Sequence, residues 1–233
     1  MSAPNLVGFR EISWTEATFP RSTAAIAVTA GDIIVAAGIV ENAVEPLTIS
    51  TGAGSTCTTS AWSVQRTLAE SGHCYVKLAT ATVTGDGNLV VQFTLGESYI
   101  FGGFATVWNA TDGLGTVSPT NAFGNQSACS VSFDPTSTGT DSAIVMVVGD
   151  WETDAVSAVL TNMGAFTEIE RAQESTAYSA YAGYHANCGT AGAANIGVNS
   201  STMKWSLVAI EVKGTAGGGA TNIPVTMTDA LNA

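Results

Sequence analysis

The sequence predicts an all-β protein, a β-sandwich with jelly-roll-like connections, and three observations support this prediction. Short runs rich in β-branched and aromatic residues recur along the whole chain, at the spacing of about 8–15 residues that is typical of sandwiches. Gly, Asp, Asn and Pro residues separate these runs. No segment keeps the i, i+3, i+4, i+7 apolar spacing of an amphipathic helix over three turns.

The same series of strands occurs twice along the chain. A continuous apolar run, an aromatic-led strand, a histidine-bearing strand and an aromatic strand follow one another in both halves, at an offset of about 105–110 residues. The matching segments are 30–40 and 141–149, 61–67 and 165–171, 72–81 and 181–190, and 99–108 and 204–212. We therefore predict two pseudo-repeated halves, about 18–110 and 125–213, of a sandwich domain over 18–213, with an N-terminal arm over 1–17.

In the first half, local patterns predict the individual strands. Residues 22–29 alternate small polar with apolar residues, as a half-buried strand does. Residues 33–40 are continuously apolar, which predicts a central strand covered on both faces. The turn over 85–88 (GDGN) predicts a hairpin between residues 74–84 and 89–95. Two further strands are predicted over residues 61–68 and 99–108.

In the second half, residues 109–125 are rich in Gly, Ser, Thr and Asn and contain Pro119, so they are interpreted as a connection. Residues 144–148 are the second continuously apolar strand, and we expect them beside residues 33–40 at the centre of the fold. The other strands of this half are predicted over residues 128–133, 166–172, 177–184, 194–198 and 205–212.

The last twenty residues, 214–233, have a different composition. Residues 214–220 (GTAGGGA) form a flexible linker sequence. Residues 221–233 (TNIPVTMTDALNA) contain spaced apolar side chains but are too few to form a core. Two interpretations stay open: an unordered tail, or a short extended arm that adds a strand to the sheet of a neighbouring subunit.

Composition excludes several classes of partner. The chain has 7 Lys and Arg residues against 19 Asp and Glu residues, and a formal net charge of −12. Because phosphate binding depends on clustered cations, we expect no nucleic-acid partner. No apolar run approaches the about 18 residues of a membrane span, and residues 1–14 lack the pattern of a secretory signal, so we expect no membrane association and assembly in a cytoplasm.

Catalytic and metal chemistry are not predicted. The two histidines lie near cysteines, at His73-Cys74 and His185-x-x-Cys188, but adjacent strand residues point to opposite faces and the spacing fits no standard zinc finger. Glu168 and Glu170 are expected to share one solvated face of a strand rather than to form a glycosidase pair. We therefore assign no catalytic, cofactor-binding or metal-ligating residue. The four cysteines are too widely spread for a disulfide framework, so buried thiols are expected.

One ordered set of motifs runs through residues 18–213. An alternating strand (24–28) leads into Gly-Asp-Ile-Ile-Val-Ala (31–36). A Trp-led strand ending in Arg (62–66), the pattern Tyr-x-Lys-x-Ala (75–79) and an aromatic strand (101–108) follow in that order. Related strands occur in the second half at 143–148, 166–171 and 205–212. This order resembles a β-sandwich domain of phage and bacterial virion structural proteins. The Pro-Pro-x-Gly-Trp run of that pattern is replaced here by residues 58–62 (TTSAW).

The resemblance implies a non-enzymatic virion protein, such as a head decoration or cement protein that binds the major capsid protein or other virion subunits. It also implies a homo-oligomer, with a trimer as the analogous state. The expected contact residues lie on the two arms: Trp14, Ile223, Val225, Met227 and Leu231. The alternative is a tail, baseplate or fibre module that binds host-surface carbohydrate through exposed aromatic residues: Trp151, Tyr178, Tyr181 and Tyr184.

Overall fold

The computed structural model describes residues 3–41, 47–69, 74–109, 111–133, 142–153, 161–163, 167–174, 178–185 and 194–215. Every regular element in these residues is a strand, so the predicted all-β class is confirmed. The strands are β1 Asn5–Ala17, β2 Arg21–Ser22, β3 Ile26–Val28, β4 Ile33–Val40, β5 Thr48–Thr51, β6 Thr58–Thr59, β7 Ser63–Ala69, β8 Tyr75–Gly85, β9 Gly87–Leu89, β10 Val91–Thr94, β11 Tyr99–Asn109, β12 Thr111–Phe133, β13 Ser142–Thr153, β14 Thr161–Met163, β15 Thr167–Glu174, β16 Tyr178–His185 and β17 Ala194–Gly214.

Two main sheets form the body of the protein, and each is built from one half of the chain. The first follows the order β1-β11-β4-β8, with β7 and β6 both paired to β8. The second follows the order β12-β17-β13-β16-β15, with β14 paired to β17. All these pairs are antiparallel. Two small sheets, β2-β10-β5 and β3-β9, come from the first half.

The central strand β4 is buried on both faces, as its continuous apolar run predicts. Ile34, Ala36 and Val40 belong to a cluster shared with the strands of the two small sheets. The alternate residues Val35, Ala37 and Ile39 belong to a second cluster, formed with β13, β16 and β17. We call this second group the inter-sheet cluster. Because side chains alternate along a strand, a run covered on both sides needs apolar residues at every position.

The two continuously apolar strands do not lie side by side, so this part of the sequence-based prediction is wrong. Strand β4 pairs with β8 and β11, whereas β13 pairs with β16 and β17. The two strands instead lie one above the other, at the centres of sheets that pack face to face. A Cβ on Gly149 of β13 would be 2.7 Å from Ile39 Cγ2 of β4, which shows how closely the sheets approach.

The predicted hairpin after β8 is also absent from the described residues. Strand β8 ends at Gly85, and the chain then leaves the first sheet: β9 pairs with β3, and β10 pairs with β2 and β5. Gly87 has a φ of 153°, and a Cβ there would be 2.6 Å from the backbone nitrogen of Cys57. This close packing against the chain before β6 directs residues 87–94 into the small sheets instead of back along β8.

Candidate binding surfaces

The longest strands, β12 and β17, continue past the region where β17 pairs with β13. Strand β13 reaches along β17 only as far as Met203. Beyond that point residues 194–199 of β17 pair with residues 128–133 of β12, and β14 pairs with residues 197–199. At about 3.3 Å per residue, residues 194–203 extend about 30 Å. We call residues 126–133, 161–163 and 194–203 the ribbon.

The ribbon contains no charged residue, in a chain of which 11% of residues are charged. Its β12 segment, residues 128–133 (ACSVSF), pairs with β17 without a register shift, whereas shifts interrupt β12 nearer its start. In the described part of the chain, β12 pairs with β17 alone and so lies at an edge of the second sheet. Proteins commonly protect such edges with charges, and an uncharged, regular edge is suited to pairing with another strand.

The predicted N-terminal arm is not separate from the domain. Residues 5–17 form β1, which pairs with β11 along Tyr99–Asn109 as the edge strand of the first sheet. Ile12 is 5% exposed and belongs to the core. Trp14 lies at a bulge between Ile12 and Thr15, and its side chain is outside the described residues. The segment is held because its backbone completes a sheet, which its sequence does not reveal.

The predicted C-terminal contact residues Ile223, Val225, Met227 and Leu231 lie outside the described residues. The described chain ends at Thr215, directly after Gly214 pairs with Thr111 at the start of β12. The ribbon lies at the opposite end of the β12–β17 pair. At about 3.3 Å per residue, the two ends of β17 are about 60 Å apart. The start of the C-terminal segment and the ribbon therefore lie far apart on one molecule.

One of the four aromatic residues predicted to face a glycan is interior. Tyr181 is 0% exposed, and a Cβ on Gly183 would be 2.9 Å from its hydroxyl. Tyr184 is half-buried and packs against the inter-sheet cluster, with its ring centroid 5.7 Å from that of Trp108. The prediction is therefore wrong for Tyr181, because its ring fills space within the fold, and Tyr184 stays a prediction. The side chains of Trp151 and Tyr178 lie outside the described residues, so those two residues stay predictions.

Glu211 of β17 is a fully buried carboxylate. It is 0% exposed, and the hydroxyl of Ser142 on β13 donates a hydrogen bond to its Oε1 at 2.6 Å. A Cβ on Gly115 of β12 would overlap Oε2, so the carboxylate lies directly over that backbone. Buried carboxylates need such hydrogen bonds because desolvation penalises their charge. Glu211 thus contacts the two strands that flank β17.

Several titratable groups of the described residues have pKa values shifted by burial. Burial lowers the pKa of His185 on β16 and of Lys77 on β8. Burial also raises the pKa of Tyr75, although hydrogen bonds to Thr67 and to the Leu47 backbone act in the other direction. The Lys77 ammonium donates a hydrogen bond to the Leu47 carbonyl at 2.5 Å. Tyr75 and Lys77 therefore attach the segment before β5 to β8, which is a structural role.

The cysteines agree with the prediction of buried thiols where they are described. Cys57 and Cys74 are free and buried, and burial raises the pKa of Cys57. The side chain of Cys129 and the whole of Cys188 and His73 lie outside the described residues. Among the side chains that are described, no group of three or more His, Cys, Asp or Glu residues is placed to hold a metal ion. The same part of the chain has no helix capable of spanning a membrane.

Sequence reasoning predicted strands over residues 128–133 and 194–198 of the ribbon, but it missed their continuity with the second sheet because it interpreted residues 109–125 as a connection. Residues 111–125 belong to β12, with register shifts after Thr111, Leu114 and Ala122. Bulges interrupt the alternation of side chains that identifies a strand in a sequence. Strand β15 likewise has a bulge between Glu168 and Glu170, whose side chains lie outside the described residues, so their expected common face stays a prediction. The available signal was a run of 21 residues without a charge, from Gly113 to Phe133.

Comparisons with protein-family models, with curated proteins and with solved structures find no match to this chain.

Proposed function

We propose that this protein is a non-enzymatic virion structural protein, specifically a capsid decoration protein that stabilises a phage head through contacts between subunits. The observation that carries the proposal is the ribbon, an uncharged three-stranded extension at one end of the second sheet. Main-chain pairing at such an edge provides affinity, and alternate side chains provide register. The motif order that resembles virion β-sandwich domains supports the same role.

The arrangement of the two halves supports the predicted duplication. In each main sheet the continuously apolar strand is central, with the histidine-region strand on one side and the aromatic strand on the other. The aromatic-led strands β7 and β15 take the next position in both sheets. The second half differs in the ribbon: β12 has 23 residues and β17 has 21, whereas β1 has 13 and β11 has 11. An addition to one copy of a duplicated unit is the expected place for a specific contact.

The mechanism that we propose is a repeated head-to-tail contact on the capsid lattice. The ribbon lies at one end of the β12–β17 pair, and the C-terminal segment begins at the other end, about 60 Å away. A segment of one molecule that pairs with the ribbon of the next forms a heterologous contact, which a lattice can repeat. Ile223, Val225 and Met227 would lie on one face of that added strand, with Pro224 and Thr226 between them.

The alternative, a tail or fibre module that binds carbohydrate, has less support. One of its four proposed aromatic residues, Tyr181, is interior and another, Tyr184, is half-buried, so it depends mainly on Trp151 and Tyr178. Immunogold labelling of virus particles purified from the source of the chain separates the two proposals. Regular labelling over the head supports decoration, labelling confined to fibre tips supports the alternative, and particles without label overturn both.

A deletion of residues 216–233 tests the contact itself. We expect the deleted chain to keep the folded body, measured by circular dichroism and thermal unfolding, but to lose occupancy on particles stripped of the native protein. The matched control replaces residues 221–233 with a scrambled sequence of the same composition. Unchanged occupancy of the deleted chain would remove the C-terminal segment from the mechanism.

A further inference from the structure

The two main sheets face each other in a symmetric way. Strand β1 lies over β15, and β12 lies over β7. The central strands β4 and β13 lie over each other, β8 lies over β17, and Trp108 of β11 contacts Tyr184 of β16. Strand β8 also contacts β13, and its counterpart is the cavity that Ile39 of β4 and Ala180 of β16 line together; β7 also contacts β17. Exchange of each strand for the strand at the same position in the other sheet turns each of these contacts, except that of β7 with β17, into another member of the set. A contact set with this property is that of a two-fold axis.

The pairing registers identify equivalent residues. In the first sheet, Ala37 pairs with Leu78; in the second, Val147 pairs with Ala182. The pairs β7–β8 and β15–β16 then each have a bulge at the same position relative to these residues. Val64 and Arg66 of β7 flank a bulge opposite Ala79 and Leu78, and Glu168 and Glu170 of β15 flank one opposite Gly183 and Ala182. Because bulges are specific local features, this agreement fixes the equivalence residue by residue.

The equivalence places Ile39 and Gly149 at the same position of the two halves. These two residues also contact each other: a Cβ on Gly149 would be 2.7 Å from Ile39 Cγ2. Contact between equivalent positions occurs at the axis of an isologous interface, where a surface meets its own copy. The axis of the inter-sheet cluster therefore passes between Ile39 and Gly149.

The residues beside the axis differ in size in a complementary way. By the same register, Val76 of β8 is equivalent to Ala180 of β16. A Cβ on Gly149 would be 2.9 Å from Cys74 Sγ and 3.3 Å from Val76 Cγ2, so Cys74 and the large Val76 both lie against the small Gly149. On the other side of the axis the large Ile39 and the small Ala180 line one narrow cavity. The first half thus presents a large side chain at both positions where the second half presents a small one.

We infer that the inner faces of the two halves are one self-complementary association surface, which these two large–small pairs make selective for the unlike half. If the first half met a second copy of itself, Ile39 would meet Ile39 at the axis and the two side chains would overlap. Such a clash favours the unlike pairing over the like one. The partner of each inner face is therefore the opposite half, from the same chain or, by exchange of halves, from a second copy. This inference is independent of the proposed virion role.

An exchange of side chains across the axis tests the inference on the full-length chain. Ile39→Gly with Gly149→Ile exchanges the axis pair, and Val76→Ala with Ala180→Val exchanges the flanking pair. All variants are made in a Cys74→Ala chain, which serves as their reference, because Cys74 Sγ would also lie 2.9 Å from a Cβ at position 149. The variant with all four substitutions has the same composition as this reference and moves both large residues to the opposite half. Thermal unfolding and gel filtration are measured for all three variants, for this reference and for the wild type.

We expect each two-residue exchange to lower Tm by about 10 °C or more, because each leaves a cavity on one side of the axis and overpacks the other. The four-residue exchange should recover at least half of that loss, as a monomer. Recovery of this kind requires coupling between the two pairs. A four-residue variant that is as unstable as the worse two-residue variant, or that fails to fold, would overturn the inference.

Discussion

Asp32 and Asp86 offer a paired test of how burial sets the value of a hydrogen bond. The two carboxylates accept hydrogen bonds from neighbouring backbone amides of the turn before β4. Asp32 Oδ2 accepts one from the Thr29 N–H at 2.9 Å, and Asp86 Oδ1 accepts one from the Ala30 N–H at 2.8 Å. The distances are nearly equal, but Asp32 is 2% exposed and Asp86 is exposed. Asp32 Oδ2 also accepts a longer hydrogen bond from the Thr29 hydroxyl, at 3.3 Å. Burial and this second, weaker bond are therefore the differences between the two sites.

We expect Asp32→Ala to lower the free energy of unfolding by about 2–3 kcal/mol. It removes a hydrogen bond to a charged group, and in a partly buried turn the Thr29 N–H has poor access to water as a replacement. Asp86→Ala should lower the free energy by only about 0.5–1 kcal/mol, because water replaces the carboxylate at an exposed amide. At about 2–4 °C per kcal/mol, Tm should fall by about 4–12 °C in the first variant and about 1–4 °C in the second.

The assay is urea unfolding followed by tryptophan fluorescence, with thermal unfolding as a second measurement. Asp32→Asn serves as the control, because its amide oxygen still accepts the bond without the charge, and it should lie between Asp32→Ala and the wild type. Unequal urea slopes would show that a variant also alters the unfolded state. If Asp86→Ala costs as much as Asp32→Ala, burial does not set the value of these bonds and the argument fails.

Three further outcomes follow from the described residues. Burial lowers the pKa of His185 below its ordinary value of 6.5, so the unfolded chain takes up the proton at a higher pH than the folded chain. The free energy of unfolding should therefore fall as the pH drops below 6.5. His185→Gln should reduce this loss, measured by urea unfolding at pH 7 and pH 5. Cys57 and Cys74 should react with a thiol reagent far more slowly in the native protein than in urea, measured by peptide mass spectrometry. Along an edge strand, backbone N–H groups alternately bond to the neighbouring strand and point outward. Of the two variants Ser130→Pro and Val131→Pro, one therefore removes an outward N–H, and that variant should keep its Tm but lose particle occupancy.

The sequence predicts the central strands well because burial on both faces leaves a clear signal. The run Ile33–Val40 needs apolar residues at every position, and the structure places alternate residues in the two clusters. The sequence does not say whether two such strands pair in one sheet or stack between sheets, since both arrangements bury the same residues. The contact between Ile39 and Gly149, which decides for stacking, depends on an absent side chain.

The candidate surface was harder to predict because it consists of backbone rather than of a distinctive set of side chains. Residues 111–125, through which β12 continues into the ribbon, have the composition of a loop, yet they are held in β12 by pairing with β17. Tyr181 and Tyr184 lie in a stretch rich in Ser and Ala, as exposed tyrosines of a binding site do. Their burial depends on the tertiary contacts of β16 with the rest of the fold, which local composition does not encode.

The faces of the main sheets are already used inside the molecule. Strand β4 is covered on both sides, and Ile144, Met146 and Val148, which lie outside the inter-sheet cluster, are 0% exposed as well. Among the described residues, the large apolar side chains that are exposed are Val7 at 36% and Val64 at 53%, and both lie on edge strands of the first sheet. The partner in the proposed function would therefore meet strand edges and the ribbon rather than a broad apolar face of the described residues. Contacts of that kind are individually weak, and a repeating lattice is where many of them act together.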